Sequence, residues 1–126
     1  MKKFYHIKEA AKKLNMSIDT LRYYEKIGLV GEIVRDQNGY RIYKQTDLDW
    51  FTLIGYLRSI GVSIQDMLQF QNSHGSKTSS VEARKAFMEN YRKEIITKKI
   101  ELKDIIKKLD KKIDFLNNLT NEDISH

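Results

Sequence analysis

Residues 17–43 contain a short capped helix followed at once by a basic hairpin, and this combination constrains the fold more than any other part of the chain. Ser17 is a good N-cap, because its hydroxyl can accept a free backbone N–H of the first turn. Asp19 lies in that first turn, where the helix dipole favours negative charge. Gly28 can end the helix as a C-cap glycine. The sequence therefore predicts a helix over about residues 18–27.

The hairpin is predicted from two strand-like runs, 33–35 and 40–43, on either side of an Asn-Gly pair at 38–39. An Asn-Gly pair is the strongest short-range hairpin signal, since a type I′ turn needs positive φ at both residues. Arg35 and Arg41 lie on opposite sides of this turn and make the ribbon cationic. A groove-entering helix followed by a cationic ribbon is typical of DNA-reading domains. The alternative is a charged, solvent-facing hairpin that covers an edge of the core.

The chain carries an excess of positive charge, with 23 Lys and Arg against 17 Asp and Glu and a formal net charge of +6. The excess is larger in residues 1–60, with a net +4, than in residues 61–126, with a net +2. A basic surface favours polyanionic partners, although many small basic proteins bind no nucleic acid. The charge therefore agrees with DNA binding without establishing it.

Composition excludes several classes of protein. The chain has no cysteine, which rules out disulfides, thiolate metal sites and cysteine redox switches and makes a reducing cytoplasm the default location. No apolar run approaches the roughly 18 residues of a membrane-spanning helix, and the N-terminal residues are too polar for a signal peptide. The three histidines are scattered and no catalytic motif appears, so we predict no enzyme activity, no metal site and no cofactor.

The rest of the chain is predicted to be mainly helical. A strand-prone run at 4–7 opens it, and a polar stretch at 73–80 is the only predicted linker. The predicted helices run from 8 to 14, from a cap at Thr46 or Asp47 to 60, from a cap at Ser63 to about 71, and from 81 to about 119, before a frayed tail at 120–126.

The last predicted helix has an apolar seam along one side. Its members step by four, three, four and three residues, which is the heptad spacing of a coiled coil: Leu102, Ile106, Leu109, Ile113 and Leu116. Lys99 interrupts the seam towards the N-terminus. A long polar helix with one apolar stripe is not stable alone, and the chain offers no second long helix to cover the stripe. The sequence therefore predicts a homodimer joined through the helix at 81–119.

Four segments together resemble the winged helix-turn-helix of the MerR family of bacterial transcription regulators: 20–25, 28–29, 38–43 and 57–63. The resemblance implies a DNA-binding domain at 3–72, with the helix-turn-helix at about 8–27 and the wing at about 32–44, followed by an antiparallel dimerisation coiled coil. It implies a homodimer that binds a promoter pseudo-palindrome and distorts a spacer that is too long for good polymerase contact. The implied partners are double-stranded promoter DNA, a second copy and RNA polymerase on the same promoter. The implied location is the bacterial cytoplasm, at the nucleoid.

DNA-contacting side chains are predicted on the helix and on the wing. Arg22 can donate two hydrogen bonds to guanine or clamp a phosphate, and Tyr23 can donate its hydroxyl to a phosphate oxygen. The resemblance adds Arg58 as a further backbone contact near the wing. The whole predicted set is Ser17, Thr20, Arg22, Tyr23, Arg35, Tyr40, Arg41, Tyr43 and Arg58. We expect Tyr24 in the core, and the alternative for the helix as a whole is an ordinary solvated face.

The sequence departs from the well-known branches of the family in its C-terminal part. Members that sense metals use cysteines, which are missing here, and members that sense drugs have a large separate domain, for which the seven residues after Leu119 leave no room. An inducer of unknown identity would have an aromatic pocket as its predicted site, formed by Trp50, Tyr56, Phe70 and Tyr91. Core and interdomain packing is the interpretation that we favour for these residues.

Two other functions stay open at this point. An architectural or excisionase-like DNA-binding protein without an inducer response would share the winged reader, although such proteins typically lack a long dimerisation helix. A coiled-coil adaptor would not need Arg22, Arg35 and Arg41 in these places. We therefore predict a sequence-specific, homodimeric transcription regulator, and the sequence does not decide between activation and repression.

Overall fold

The computed structural model describes residues 4–73 and 81–124, and the chain is mainly helical. Its elements in order are β1 Tyr5–His6, α1 Ile7–Leu14, α2 Ile18–Lys26, β2 Ile42–Tyr43, α3 Gln45–Ser59, α4 Ile64–Ser73 and α5 Val81–Ile124. Two compact units, Met1–Met88 and Glu89–His126, divide the chain, so the first two turns of α5 belong to the first unit. The predicted class is confirmed, namely a mainly α, winged helix-turn-helix chain with a long C-terminal helix. The predicted domain boundary at 80 stays a prediction.

Two short strands join the N-terminus to the base of the wing, which is the segment 32–44 between α2 and α3. β1 pairs antiparallel with β2, with Tyr5 opposite Tyr43 and His6 opposite Ile42. The predicted strand-prone run at 4–7 is confirmed at Tyr5–His6. This pairing anchors the second strand of the wing against the start of α1.

The helix-turn-helix consists of α1 and α2. Asn15 takes a left-handed conformation with φ 53°, which lets the chain turn sharply between the two helices. Ser17 caps α2 as predicted, because its Oγ accepts a hydrogen bond from the Thr20 backbone N–H at 3.0 Å. Gly28, with φ 82°, follows the C-cap of α2 at Ile27, so the predicted role of this glycine is confirmed.

The turn of the wing differs from the predicted type I′ turn. Among the described residues, Asn15 is the one non-glycine with positive φ, so Asn38 does not have the conformation that a type I′ turn requires. Gly39 has φ 83°, its N–H donates to Asp36 O, and the Asp36 N–H donates to Tyr40 O. This is a three-residue loop in which a single left-handed glycine follows a turn. The Asp36 carboxylate selects it, since Oδ1 accepts the N–H groups of Asn38 and Tyr40, both at 3.0 Å.

The start of α3 also differs from the prediction. Neither Thr46 nor Asp47 is the N-cap, because the helix begins at Gln45 with Lys44 as its cap residue. Asp47 instead lies in the first turn, and its carboxylate accepts the Lys44 backbone N–H at 2.9 Å. The predicted cap of α4 is confirmed, since Ser63 Oγ accepts the Asp66 backbone N–H at 3.0 Å.

Aromatic and aliphatic side chains from every helix of the first unit form its core. Tyr24 is 8% exposed and stacks on Phe51 at 6.3 Å between ring centroids, which confirms its predicted place in the core. Phe87, from the first turns of α5, packs on Trp50 at 5.0 Å and on Phe70 at 5.9 Å. Each fully buried side chain of this size contributes roughly 1.5–3 kcal/mol. The largest are Tyr43, Phe51, Phe87, Leu21, Leu29, Ile54 and Met67.

The carbonyl of Leu29, just after α2, joins three helices. It accepts hydrogen bonds from Trp50 Nε1 of α3 at 3.2 Å and from Gln71 Nε2 of α4 at 3.1 Å, both in the buried interior. Two buried donors on one carbonyl hold the end of α2 in place relative to α3 and α4. The orientation of α2 is therefore fixed by the core as well as by the turn before it.

The second unit consists of the remainder of α5. The predicted seam is 52% to 59% exposed in the single chain, at Leu102, Ile106, Leu109, Ile113 and Leu116. The helix runs to Ile124, so its predicted end at 119 is wrong, and the predicted fraying of residues 120–126 stays a prediction. Residues 74–80 of the predicted linker and 125–126 of the tail lie outside the described residues, and Ser73 ends α4. No helix in the described ranges has the length and apolarity to span a membrane.

Candidate nucleic-acid interface

The outer face of α2 presents the polar side chains that the sequence assigned to it. Arg22 is exposed and Tyr23 is 49% exposed, while Leu21 and Tyr24 point into the core. Ser17 Oγ and Thr20 Oγ1 hydrogen bond to each other at 2.8 Å, so these two hydroxyls are engaged in the cap. The helix therefore offers an arginine and a tyrosine to a partner, with the two hydroxyls at its N-terminus.

The wing is held in shape by its own polar contacts. Arg35 and Arg41 face each other across an antiparallel bridge, and the Ile42 N–H donates to Val34 O at 2.8 Å. Arg35 Nη1 donates to Gly39 O at 2.9 Å, which places its guanidinium over the turn. Tyr40, at the tip, is 65% exposed. An exposed aromatic residue beside two arginines is suited to contact a sugar-phosphate backbone.

A groove of about 530 Å³ lies between α2, the start of α1 and the wing, and we refer to it as the cationic groove. Its lining residues are His6, Ile7, Lys8, Arg22, Arg35, Gly39, Tyr40 and Arg41. It brings together four members of the predicted DNA-contacting set, Arg22, Arg35, Tyr40 and Arg41, from two separate elements. Like charges gathered in a concave surface concentrate the positive potential and attract a polyanion.

Some of the groove was not predicted from the sequence. Lys8 adds a cation from the first turn of α1, and the β1–β2 pairing is what brings His6 to the groove. Neither residue has a local motif that marks it, because its place depends on a pairing between distant segments. Ser17, Thr20, Tyr23 and Arg58 are not among the residues that line the groove.

The prediction that Tyr43 contacts DNA is wrong. Its side chain has no exposed surface and packs edge-on against Phe51 at 6.1 Å between ring centroids. Burial raises the pKa of Tyr43 to about 12; the nearby charge of Glu25 acts in the same direction, and the charges of Arg41, Arg22 and Arg35 oppose it. Successive side chains of a strand point to opposite faces, and Tyr43 points into the core. Tyr43 therefore packs under the wing and cannot contact DNA.

Arg58 has a structural contact of its own. Its Nη1 donates to Val62 O at 3.1 Å, just beyond the C-terminus of α3. A cation at this place also suits the negative end of the helix dipole. The side chain stays exposed, and its predicted contact with the DNA backbone stays a prediction.

The predicted aromatic pocket is only partly formed. A second groove of about 500 Å³, the aromatic groove, contains Trp50 and Tyr56 but not Phe70, and its full lining is Thr46, Asp49, Trp50, Thr52, Leu53, Tyr56, Arg84 and Met88. Arg84 Cζ lies 5.1 Å from the centre of the Trp50 ring. Trp50 is 5% exposed and Phe70 packs on Phe87, which agrees with the favoured interpretation of core packing. Tyr91 belongs to the second unit and is 2% exposed.

No metal-binding arrangement is present in the described part of the chain, where no three His, Cys, Asp or Glu side chains lie close enough to hold an ion.

Comparison with known proteins identifies the family. A family model described as "MerR family regulatory protein" matches residues 6–43. An uncharacterized HTH-type transcriptional regulator of Haemophilus influenzae is 32% identical over 111 residues, which are 88% of this chain and 82% of the relative. Among solved structures, HiNmlR, described as a MerR family regulator lacking the sensor domain and bound to promoter DNA, is 31% identical with a TM-score of 0.66 and 91% coverage of both chains. A MerR family regulator from Listeria monocytogenes is 33% identical, with a TM-score of 0.65, 87% coverage of this chain and 83% of that chain. The chain therefore belongs to the MerR family of transcriptional regulators.

Proposed function

We propose that this protein is a homodimeric, sequence-specific DNA-binding regulator that acts on a pseudo-palindrome within a promoter. The observation that carries the proposal is the cationic groove, in which Arg22 of α2 meets Arg35 and Arg41 of the wing. The likeness to HiNmlR, a structure solved with promoter DNA, supports the same use of this surface. Regulators of this kind work on the chromosome, so we place the protein in the bacterial cytoplasm.

In this proposal α2 enters the major groove. An α-helix fits this groove, and an arginine on its outer face can donate two hydrogen bonds to O6 and N7 of guanine. Arg22 is the exposed arginine of α2 and is the residue to which we assign base recognition. Tyr23, half exposed beside it, would donate its hydroxyl to a phosphate oxygen. Ser17 and Thr20 would place the N-terminus of α2 against the same backbone.

The wing would follow the sugar-phosphate backbone next to the recognition helix. Arg35, Arg41 and Lys8 supply positive charge there, and Tyr40 supplies an exposed ring. Contacts to phosphates carry little sequence information but fix the register of the helix on the duplex. Each phosphate that they neutralise releases counterions, so binding should weaken steeply as the salt concentration rises.

The seam of α5 would pair two copies. Its leucines and isoleucines are about half exposed in the single chain, and a second α5 would cover them. Two readers joined by a stiff rod can impose a bend on the DNA between two half-sites that flexible tethers cannot. In a promoter with an overlong spacer, that distortion would realign the two elements for RNA polymerase. The signal that would control this step is unknown.

The proposal is tested by selecting duplexes that bind the full-length protein from a pool of random sequences. We expect the recovered duplexes to share one pseudo-palindrome and to bind about 10³-fold or more tighter than random duplex at the same salt concentration. Equal affinity for selected and random duplexes would overturn sequence-specific recognition.

Transcription distinguishes a regulator from an architectural protein. The selected site is placed in a promoter with an overlong spacer, and transcripts are measured with and without the protein. A regulator changes transcript yield in a manner that depends on the spacer length, whereas an unchanged yield at every spacer length would favour the architectural alternative.

A further inference from the structure

Glu25 places a carboxylate next to Arg41, one of the arginines of the cationic groove. It lies in the last turn of α2, and its Oε2 accepts a hydrogen bond from Arg41 Nε at 2.5 Å. The two side chains are only 16% and 23% exposed. A negative charge beside a surface that binds a polyanion is unfavourable on charge alone, because it lowers the positive potential. Its presence therefore calls for a structural reason.

The contact connects two elements that must act together on DNA. Glu25 belongs to α2 and Arg41 to the second side of the wing, sixteen residues further along the chain. The other side-chain hydrogen bonds described above lie entirely within the wing. Arg35 donates to Gly39 O, and the backbone N–H groups of Asn38 and Tyr40 donate to the Asp36 carboxylate. Those bonds shape the ribbon, whereas the bond to Glu25 sets its position relative to the recognition helix.

The atoms that take part in the contact leave Arg41 able to bind a further anion. Glu25 engages Nε, and within residues 4–73 and 81–124 neither terminal amino group of Arg41 has a hydrogen-bond partner. The side chain also lines the cationic groove beside Arg22 and Arg35. A guanidinium held at Nε by a carboxylate can still donate from its amino groups to a phosphate.

We propose that Glu25 is a positioning residue for DNA binding: it holds Arg41 in the cationic groove and locks the wing to α2, so that both elements meet the duplex as one preformed surface. This inference rests on the proposed function. The wing and α2 then bind DNA without first ordering the long side chain of Arg41, which would otherwise cost up to about tenfold in affinity.

The test uses the full chain and a duplex recovered in the selection. Because a hydrogen bond to a charged group is worth roughly a tenfold change in an equilibrium constant, Glu25→Ala should bind about tenfold more weakly than wild type, although it removes a negative charge. Glu32→Ala is the matched control. Glu32 is an exposed acid at the first residue of the wing, and its loss should leave affinity unchanged or slightly higher. Glu25→Gln keeps an acceptor oxygen for Nε and should recover part of the loss.

A double-mutant cycle shows whether Glu25 acts through Arg41. Arg41→Ala alone should weaken binding to all duplexes, and adding Glu25→Ala to it should cause no further loss. The slope of log Kd against the logarithm of the salt concentration should decrease by about the same amount in both single variants. The expected decrease is roughly 0.9, which corresponds to one lost phosphate contact. Affinity of Glu25→Ala equal to or above wild type, or fully additive losses in the double variant, would overturn the inference.

A measurement without DNA separates this inference from the proposed function. Backbone amides in the wing, such as those of Asp36 and Ile42, should exchange hydrogen faster in Glu25→Ala than in wild type or Glu32→Ala. Exchange within the buried part of α2, at Leu21, should stay at the wild-type rate. Unchanged exchange in the wing would overturn the inference whatever the duplex result. Failure of wild type to select any duplex would overturn the proposed function, and with it the DNA-binding role of Glu25, even where faster exchange in Glu25→Ala shows that Glu25 holds the wing.

Discussion

Leu109→Asp is predicted to separate the dimer into monomers. Leu109 is at the middle of the seam and is 52% exposed in the single chain. Fully burying a leucine is worth roughly 1.5–3 kcal/mol, so covering its exposed half contributes about 1 kcal/mol in each copy. An aspartate there forfeits this contribution and also places a carboxylate in an apolar seam, at a cost of at least about 1 kcal/mol per copy. The dimer should lose about 4 kcal/mol, or about a thousandfold in its dissociation constant.

The assay is sedimentation equilibrium or light scattering of the full-length protein over a range of micromolar concentrations. Lys111→Asp is the control, because it introduces the same carboxylate two residues away, off the seam. Wild type and Lys111→Asp should show the mass of two chains, and Leu109→Asp the mass of one. A dimer mass for Leu109→Asp at every concentration would refute the assignment of the seam.

Three further predictions concern the reader. Arg22→Ala should cost about 1–3 kcal/mol on the selected duplex and relax the base preference at one position, measured by repeating the selection; an unchanged preference would remove Arg22 from base recognition. Gly39→Ala should destabilise the first unit by about 1 kcal/mol in denaturant titration, through its φ of 83° alone, since a Cβ there meets nothing within 4 Å. Tyr43→Phe should leave duplex affinity unchanged, because the ring is fully buried. The free energy of unfolding of wild type should decrease as the pH rises from 10 to about 12, and Tyr43→Phe should lack this decrease. The sign follows from the raised pKa: the unfolded chain releases the phenol proton first, so stability is complete below pH 10 and falls above it.

Local chemistry made the helix ends of the reader predictable. Ser17 and Gly28 act through their own hydroxyl and their own backbone freedom, so neighbouring sequence was enough to place them. The turn of the wing was mispredicted although it depends on local contacts alone, because a local side-chain interaction that competes with the type I′ turn was overlooked. The Asp36 carboxylate accepts two backbone N–H groups and favours the three-residue loop over the type I′ turn.

The site depends more on contacts between distant segments. The sequence identified Arg22, Arg35 and Arg41 as cations of the reader, but it gave no sign that Lys8 joins them, since that depends on the pairing of β1 with β2. Tyr43 was assigned to the surface because the predicted strand at 40–43 is too short to show by alternation which side faces the core. Glu25 was overlooked because an acid in the last turn of a helix is ordinarily a solvated residue.

Footprinting with hydroxyl radicals on a selected duplex tests most directly whether two joined copies read DNA. We predict two protected segments on one face of the duplex, related by a two-fold axis and separated by one or more helical turns, with two chains bound per duplex. One protected segment with a single chain per duplex would contradict the proposed dimeric reader.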